Sequence, residues 1–598
     1  MPKTNTKEKG FEEQIESELV EKNGFVKRVA SAYDKRLCVD AELALQFVQS
    51  SQPKEWKKLA GQHGEHTEQV FLARLAAEVK ERGVIAVLRE GITDHGARFS
   101  LAYFKPETGM NAETSELYGK NILSVTRQVK YSEKNENSLD MVLFLNGIPL
   151  FTVELKNQLT GQSVKNSIAQ YRNDRDPCEP LFSFKRTLAH FAVDTELVFM
   201  TTRLAGLRTR FLPFNKGDKN SANNPVNSTG FKTAYLWEDI WTKDSILDIV
   251  GRFAHLAVEE KEDDNGRKYK DEKLIFPRYH QLDAVRRLTA DSREKGAGKN
   301  YLIQHSAGSG KSNTIAWLAH RLSELHTERD TKVFDSVVVI TDRRILDRQL
   351  RETVSSFEQV RGTVKPIMEG SQELKEALES GEKVITTTLQ KFPFIVDTVG
   401  ALPGKKFAVI IDEAHSSQSG EGAATLREVL KNTESLEDAE REQERAEARE
   451  ETTEDLILKK IRSRKVKTDN ISFFAFTATP KQKTLELFGE KSVLDGKLYP
   501  FSLYSMKQAI EEGFILDVLK NYTTYETYFA LFKHIAEDPA YQKKKAERLL
   551  VGFVERHEHA IEKKLEAMVG HFHKHIAEAI EGKAKAMIVT KSRLHAVR

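Results

Sequence analysis

From Leu274 to about Leu498 the chain repeats one pattern. A short run of β-branched or apolar residues is followed by a stretch of helical periodicity. The runs are Tyr301-Leu302-Ile303, Val337-Val338-Val339-Ile340, Val384-Ile385-Thr386-Thr387, Ala408-Val409-Ile410-Ile411 and Phe473-Phe474-Ala475-Phe476. Strands alternating with helices predict βαβ units on a parallel sheet, and hence an α/β fold.

The first run leads into Gln304-His305-Ser306-Ala307-Gly308-Ser309-Gly310-Lys311-Ser312 and then a helical stretch. Strand, glycine-rich loop, Lys-Ser and helix form a phosphate cradle. Gly308 and Gly310, on either side of Ser309, let the backbone curl so that its N–H groups point inward. Lys311 can reach the β- and γ-phosphates of ATP, and the Ser312 hydroxyl can ligate Mg²⁺. The strict pattern has a glycine five residues before Gly310, where this chain has His305.

Three other features fit the cradle. The strand Phe407–Ile411 ends in Asp412-Glu413-Ala414-His415. Asp412 at a strand tip can hold Mg²⁺, and Glu413 is placed to polarise the attacking water. Phe476-Thr477-Ala478-Thr479-Pro480 closes another strand with two hydroxyls. Gln281, in Phe276-Pro277-Arg278-Tyr279-His280-Gln281, precedes the loop by about one helix and can pair with adenine.

A second constellation lies upstream. Two apolar runs, Ser138–Leu145 and Ile148–Asn157, flank Asn146-Gly147 and predict a β-hairpin. The first carries Asp140, and the second carries Glu154 and Lys156. Two carboxylates supply hard oxygen ligands for Mg²⁺, which phosphodiester cleavage can use, and a lysine on the same strand face can orient the nucleophile. By itself D…E-x-K is short and common by chance. Its geometry also carries a condition. A plain two-residue turn would pair Leu145 with Ile148 and Asp140 with Val153, so Glu154 would face the other way. A three-residue loop, or a β-bulge beside Gly147, is therefore expected, despite the two-residue signal of Asn-Gly.

Composition bounds the rest. The 598 residues are 39% hydrophobic and 30% charged, with a net charge of +3, so any basic groove for DNA must be local. No stretch is long and apolar enough to span a bilayer, and Met1–Lys9 lacks the apolar core of a secretion signal. Two cysteines, Cys38 and Cys178, fit a reducing cytoplasm. The expected domains are an N-terminal domain over 1–258, a charged surface linker over 259–273 and a first motor lobe over 274–510. The beginning of a second lobe is expected over 511–598. Residues 434–467 form a charged insertion: Glu434–Asp455 holds eleven acidic and three basic residues, and Lys459–Lys467 holds six basic ones.

As a set, the motifs between 270 and 500 resemble the RecA-like lobe of superfamily 2 helicases and translocases. In that resemblance Asp412–His415 is the DEAH box, and Thr477 and Thr479 couple ATP state to DNA grip. Thr341-Asp342-Arg343-Arg344 and Thr386-Thr387-Thr388-Leu389-Gln390 hold the nucleic-acid backbone. The D…E-x-K hairpin resembles PD-(D/E)xK nucleases. A nuclease preceding a DEAH motor resembles the restriction (R, HsdR-type) subunit of type I restriction–modification enzymes. The phrases Asn146–Asn157 and Phe514–Tyr522 resemble that family too.

The resemblance implies an ATP-dependent translocase and Mg²⁺-dependent endonuclease that cuts unmodified foreign DNA away from the recognition site. Its partners would be double-stranded DNA and the methyltransferase (M) and specificity (S) subunits. It also implies that the motor's completing arginine and the region docking on the methyltransferase lie beyond Arg598, leaving these residues poorly active alone. The family often has a Gln four residues before a Tyr on the next helix. Here Tyr171 fits, but Ser167 stands in the Gln place and Gln170 is adjacent. Two alternatives stay open: a DEAH-type helicase or remodeller with a structural N-terminal domain, and a non-catalytic DNA-binding scaffold.

Overall fold

The computed structural model describes residues 8–106, 112–218, 220–262, 266–341, 344–357, 362–367, 371–388, 404–412, 470–517, 558–577 and 585–590. The chain divides into two units, Met1–His415 with Arg462–Phe514, and Ser416–Ile461 with Ile515–Arg598. The described part of the second unit is mainly the helix Glu558–His571 and its continuation Phe572–Ile576.

The first unit is built on two seven-stranded sheets. The first comprises β1 (Val26–Arg28), β2 (Leu123–Lys130), β3 (Ser138–Leu145), β4 (Ile148–Leu155), β5 (Ala189–Val193), β6 (Val198–Thr201) and β7 (Leu212–Pro213), in that spatial order. It is mixed: β1–β2 and β4–β5 pair in parallel, the others antiparallel. Met141, Leu143 and Val153 pack into one core, while Val142 and Phe144 pack with Tyr131, Tyr171 and Phe182 into another. With both faces covered, β3 and β4 read as continuous apolar runs rather than alternating ones.

The β3–β4 turn keeps its two residues. Asn146 (φ 52°) and Gly147 (φ 78°) adopt the doubly left-handed backbone of a hairpin turn, and Leu145 pairs with Ile148. Phe144 then pairs with Pro149, but Leu143 pairs with Phe151, so Leu150 is a bulged extra residue. Pro149 lacks the N–H that a central strand requires, and a bulge is one of the few places a sheet accepts it. The turn is also buried. Asn146 Oδ1 accepts from Ile122 N at 2.7 Å, and its Nδ2 donates to Leu101 O at 2.8 Å and to Asn121 Oδ1 at 3.0 Å. Gly147 O accepts from Asp40 N at 2.8 Å.

Residues 259–273 are a correction. The expected linker is part of an antiparallel ribbon, β8 (His255–Glu262) and β9 (Lys268–Ile275), with His255 paired to Ile275. Its outer part is exposed and crossed by ion pairs such as Lys273–Glu259 at 3.1 Å. Its base is tied down: Thr202 Oγ1 donates to Leu274 O at 2.8 Å, and Lys185 pairs with Glu272 at 2.7 Å.

The second sheet contains β10 (Tyr301–His305), β11 (Ser336–Thr341), β12 (Val364–Pro366), β13 (Val384–Thr388), β14 (Phe407–Ile411), β15 (Ile471–Thr477) and β16 (Ser502–Tyr504). Their order is β12-β13-β11-β14-β15-β10-β16, and every pair is parallel. One apolar core runs from the first sheet into the second. Phe276 packs against Phe151 and Phe191 at 6.0 and 6.1 Å between ring centres. Trp317 Nε1 donates to Phe253 O at 2.9 Å, and Arg286 reaches Asp248 at 3.0 Å.

Two predictions follow from these contacts. A Cβ on Gly147 would lie 2.4 Å from Asp40 O and 2.6 Å from Ala44 N, at a positive φ. Gly147→Ala should cost about 3 kcal/mol or more in urea denaturation, from strain plus overpacking. Gly161→Ala is the control, because Gly161 has the same φ sign but nothing within 4 Å of the added carbon; it should cost roughly 1 kcal/mol.

His190 on β5 is buried, with Nδ1 2.7 Å from Thr152 Oγ1, which in turn lies 2.8 Å from Tyr171 OH. Burial lowers its pKa from 6.5 to about 3. The folded state therefore holds it neutral, and its share of stability is lost as the pH falls from 6.5 toward 3. At about pH 5 the loss relative to pH 7 is about 2 kcal/mol. His190→Gln should remove that increment from denaturation curves at the two pH values; an unchanged difference would refute the assignment.

Candidate functional site

The bulge decides where the hairpin's charges go. Beyond it Val142 pairs with Thr152 and Met141 with Val153, so the next step sets Asp140 opposite Glu154. Asp140 Oδ2 accepts from Leu155 N at 2.8 Å, and Lys156 Nζ lies 3.9 Å from the same oxygen. The three residues named from the sequence thus meet at the end of one hairpin.

Glu154 is fully buried. Its Oε1 accepts from Arg175 Nε at 2.7 Å, while Oε2 is buried without a hydrogen-bond partner. Burial pushes its carboxyl well above the usual carboxylate range, the charge of Asp140 adds to the rise, and Arg175 opposes it. Facing carboxylates, one with an orphaned buried oxygen, are a donor set that Mg²⁺ fits. Asp140 and Glu154 would hold it.

Two partners of this site escape sequence reading. Arg175 lies just past the helix α2 (Val164–Asn173) and is anchored by Tyr131 OH at 3.3 Å and Ser138 O at 2.9 Å. Glu12, on the N-terminal helix α1 (Glu8–Glu21), accepts from Gln128 Nε2 at 3.2 Å and Arg127 Nε at 3.3 Å. Burial raises its pKa, and Asp140 adds to the rise. Neither residue has a local spacing that links it to the hairpin. On α2, Tyr171 and Ser167 are buried, and Gln170 lines a polar cleft of about 640 Å³ with Ser138, Asn173 and Arg175.

The second constellation gathers at the C-terminal ends of parallel strands, where α/β sheets bind ligands. Neighbouring strands β14, β15 and β10 end in Asp412, Thr477 and the 306–310 loop respectively. Gln304 pairs with Thr477, and Asp412 N donates to Ile340 O at 2.9 Å. Gly308 and Gly310 have φ of 71° and 76°, and helix α4 (Lys311–Ser323) starts directly after the loop. The Ser306 and Ser309 hydroxyls are buried without partners. Left-handed glycines, a helix N-terminus and these hydroxyls fit a bound phosphate chain.

His305 fills the position of the missing glycine from inside the sheet, with Nε2 3.2 Å from Ser502 Oγ. Gln281, on helix α3 (Tyr279–Lys295), is placed differently from its expected role. Its Oε1 accepts from Arg278 N at 2.9 Å, and its Nε2 donates to Ser309 O at 3.1 Å and Gly310 O at 3.0 Å. The amide braces the loop instead of presenting an open edge to adenine. Thr479 N donates to Thr477 Oγ1 at 3.3 Å. Thr386 and Thr387 are buried at the end of β13. Glu413, Ala414, His415, Asp342, Arg343, Leu389, Gln390 and the insertion 434–467 lie outside the described residues.

Residues 41–209 match the family described as the type I restriction enzyme R protein N terminus, and residues 280–437 match the SWI2/SNF2 ATPase family. The type I restriction enzyme HindI endonuclease subunit of Haemophilus influenzae is 24% identical over 510 residues, covering 80% of this chain and 42% of that protein. The SauCOLORF180P endonuclease subunit of Staphylococcus aureus (strain COL) is 24% identical over 327 residues, covering 52% of this chain and 31% of that protein. The chain thus spans less than half the length of these relatives. Among the described residues, no helix is long and apolar enough to cross a membrane. The chain thus carries, in order, a region similar to the N terminus of type I restriction enzyme R proteins and a region similar to SWI2/SNF2 ATPases, an arrangement that supports an HsdR-type subunit.

Proposed function

We propose that the chain supplies the endonuclease and the ATP-driven DNA translocase of a type I restriction enzyme. The whole enzyme would cut unmodified foreign double-stranded DNA away from its recognition site, working with methyltransferase and specificity subunits in the cytoplasm. The observation that carries this reading is the Leu150 bulge, which turns Asp140 and Glu154 to one side of the hairpin beside Lys156.

At the nuclease site Asp140 and Glu154 would hold Mg²⁺, which would supply a polarised water and charge stabilisation at the phosphodiester. Lys156 orients the nucleophile and offsets the phosphate charge. Arg175 fixes Glu154 through Oε1 and leaves Oε2 for the ion.

At the motor site the Gly308–Ser309–Gly310 backbone and Lys311 would cradle the phosphates of ATP, and Ser312 and Asp412 would hold Mg²⁺. Glu413 polarises the attacking water. Gln281 braces the loop, and Thr477 with Thr479 links nucleotide state to DNA grip.

The two chemistries should separate by mutation. In the complete assembly, Asp140→Ala should reduce cutting by more than roughly 100-fold while ATP turnover stays within about twofold. Undiminished cutting would remove the nuclease assignment. Lys311→Ala should abolish ATP turnover and translocation together, read by phosphate release and triplex displacement. Translocation persisting in Lys311→Ala would remove the motor assignment.

A further inference from the structure

Outside both sites, the helix Pro53–His63 ends against a small hairpin, Ile92–Asp94 paired with Ala97–Phe99. The hairpin turns through His95 and Gly96, at φ of 44° and 82°. The imidazoles of His63 and His95 meet edge to face, with ring centres 4.7 Å apart. His95 Nδ1 is 2.8 Å from Asp94 Oδ1. One ligand atom each from His63, Asp94 and His95 lies within 4.8 Å of the other two.

Two atoms of this group are buried and have no hydrogen-bond partner: His63 Nε2 and Asp94 Oδ2. Asp94 is only 8% exposed. Buried polar atoms are nearly always satisfied, so two orphans in one three-residue group call for a missing partner. An edge-to-face imidazole pair beside a carboxylate satisfies only the His95–Asp94 edge.

We propose that His63, Asp94 and His95 bind a divalent transition metal ion of the Zn²⁺ type. Two imidazole nitrogens and a carboxylate oxygen are a common zinc donor set, and nitrogen donors select against Mg²⁺ and Ca²⁺. The ion closes the site by drawing the three ligands inward. The His95 side chain is 58% exposed and has room to swing. The turn's carbonyls are held from the helix: Lys58 Nζ donates to Gly96 O, and Gln62 Nε2 donates to His95 O at 3.1 Å. Lys58 is a cation bonded to this turn, and its side chain is exposed to water. The metal clips the end of the helix to the hairpin and closes the chain between His63 and Asp94. Its ligands are separate in sequence and donor type from the all-oxygen pair of Asp140 and Glu154.

The test uses the 598-residue chain stripped with a chelator, carrying Asp140→Asn and Glu154→Gln so that the carboxylate site does not contribute. Titration with Zn²⁺ by calorimetry should find one equivalent at micromolar Kd or tighter. Co²⁺ should give the visible absorption of a nitrogen-ligated ion, and Zn²⁺ should raise the Tm. His63→Gln and His95→Gln should each weaken binding by more than the roughly 10–100-fold that loss of an outer partner costs. His66→Gln, next in the chain but outside the cluster, should leave it unchanged. If His63→Gln fails to fold, His95→Gln at the exposed turn carries the test, with far-UV circular dichroism in chelator as the control. Millimolar binding only, no Co²⁺ band, or equal affinity in His95→Gln overturns the proposal.

Discussion

The N-terminal sheet of this molecule depends on one extra residue. Side chains on a strand alternate between faces, so every functional group on β4 beyond Leu150 takes its side from that bulge. Three constraints meet there. The left-handed Asn146-Gly147 turn requires two residues, Pro149 cannot donate to a central ladder, and Asp140 must face Glu154. Moving the bulge past Glu154 would satisfy the turn and break the pair. Placing it beside Pro149 satisfies all three, because the residue that cannot hydrogen-bond sits where the ladder is already interrupted. The turn itself is locked by Asn146 against Leu101, Asn121 and Ile122, so the register has little freedom to slip.

Electrostatics then compress the site. Glu154 is brought out of water beside another carboxylate, which is unfavourable unless a cation compensates. Arg175 compensates on one side, through a guanidinium tied to Tyr131 and to the Ser138 carbonyl. It occupies one oxygen and leaves the other. That asymmetry would let a single buried carboxylate serve both a fixed protein cation and, in the proposed function, an exchangeable one. Glu12 extends the negative field around Asp140 from the N-terminal helix.

Much of this was legible in the chain. The β-branched runs located β10, β11, β13, β14 and β15, because buried parallel strands need apolar side chains on both faces. Parity alone demanded an irregularity in the hairpin, although its position at Leu150 could not be counted out beforehand. The charged ribbon of β8 and β9 was misread as a linker for a physical reason. A two-stranded ribbon facing water carries Glu, Asp and Lys on its surfaces, and in composition it looks the same as a tether. Arg175 and Glu12 were illegible because Arg175's contact with Glu154 and Glu12's contacts with β2 span distant sequence and follow no period. Gln281 was expected to pair with adenine, and its bracing of the 306–310 loop was not foreseen. Which atoms an amide bonds depends on the loop's folded path.

The core that passes from β4 and β5 through Phe276 to Trp317 has a consequence for heredity. Domains joined by tethers can be shuffled between relatives by crossovers in the tether. Here the stretch where a crossover looks harmless is a ribbon rooted in both halves. Asp248, Phe253 and Phe276 on one side have to match Arg286 and Trp317 on the other. A recombinant that paired the first sheet of one relative with the second sheet of another would inherit mismatched surfaces at the centre of its core. Selection would therefore pass the two halves down as a single locus.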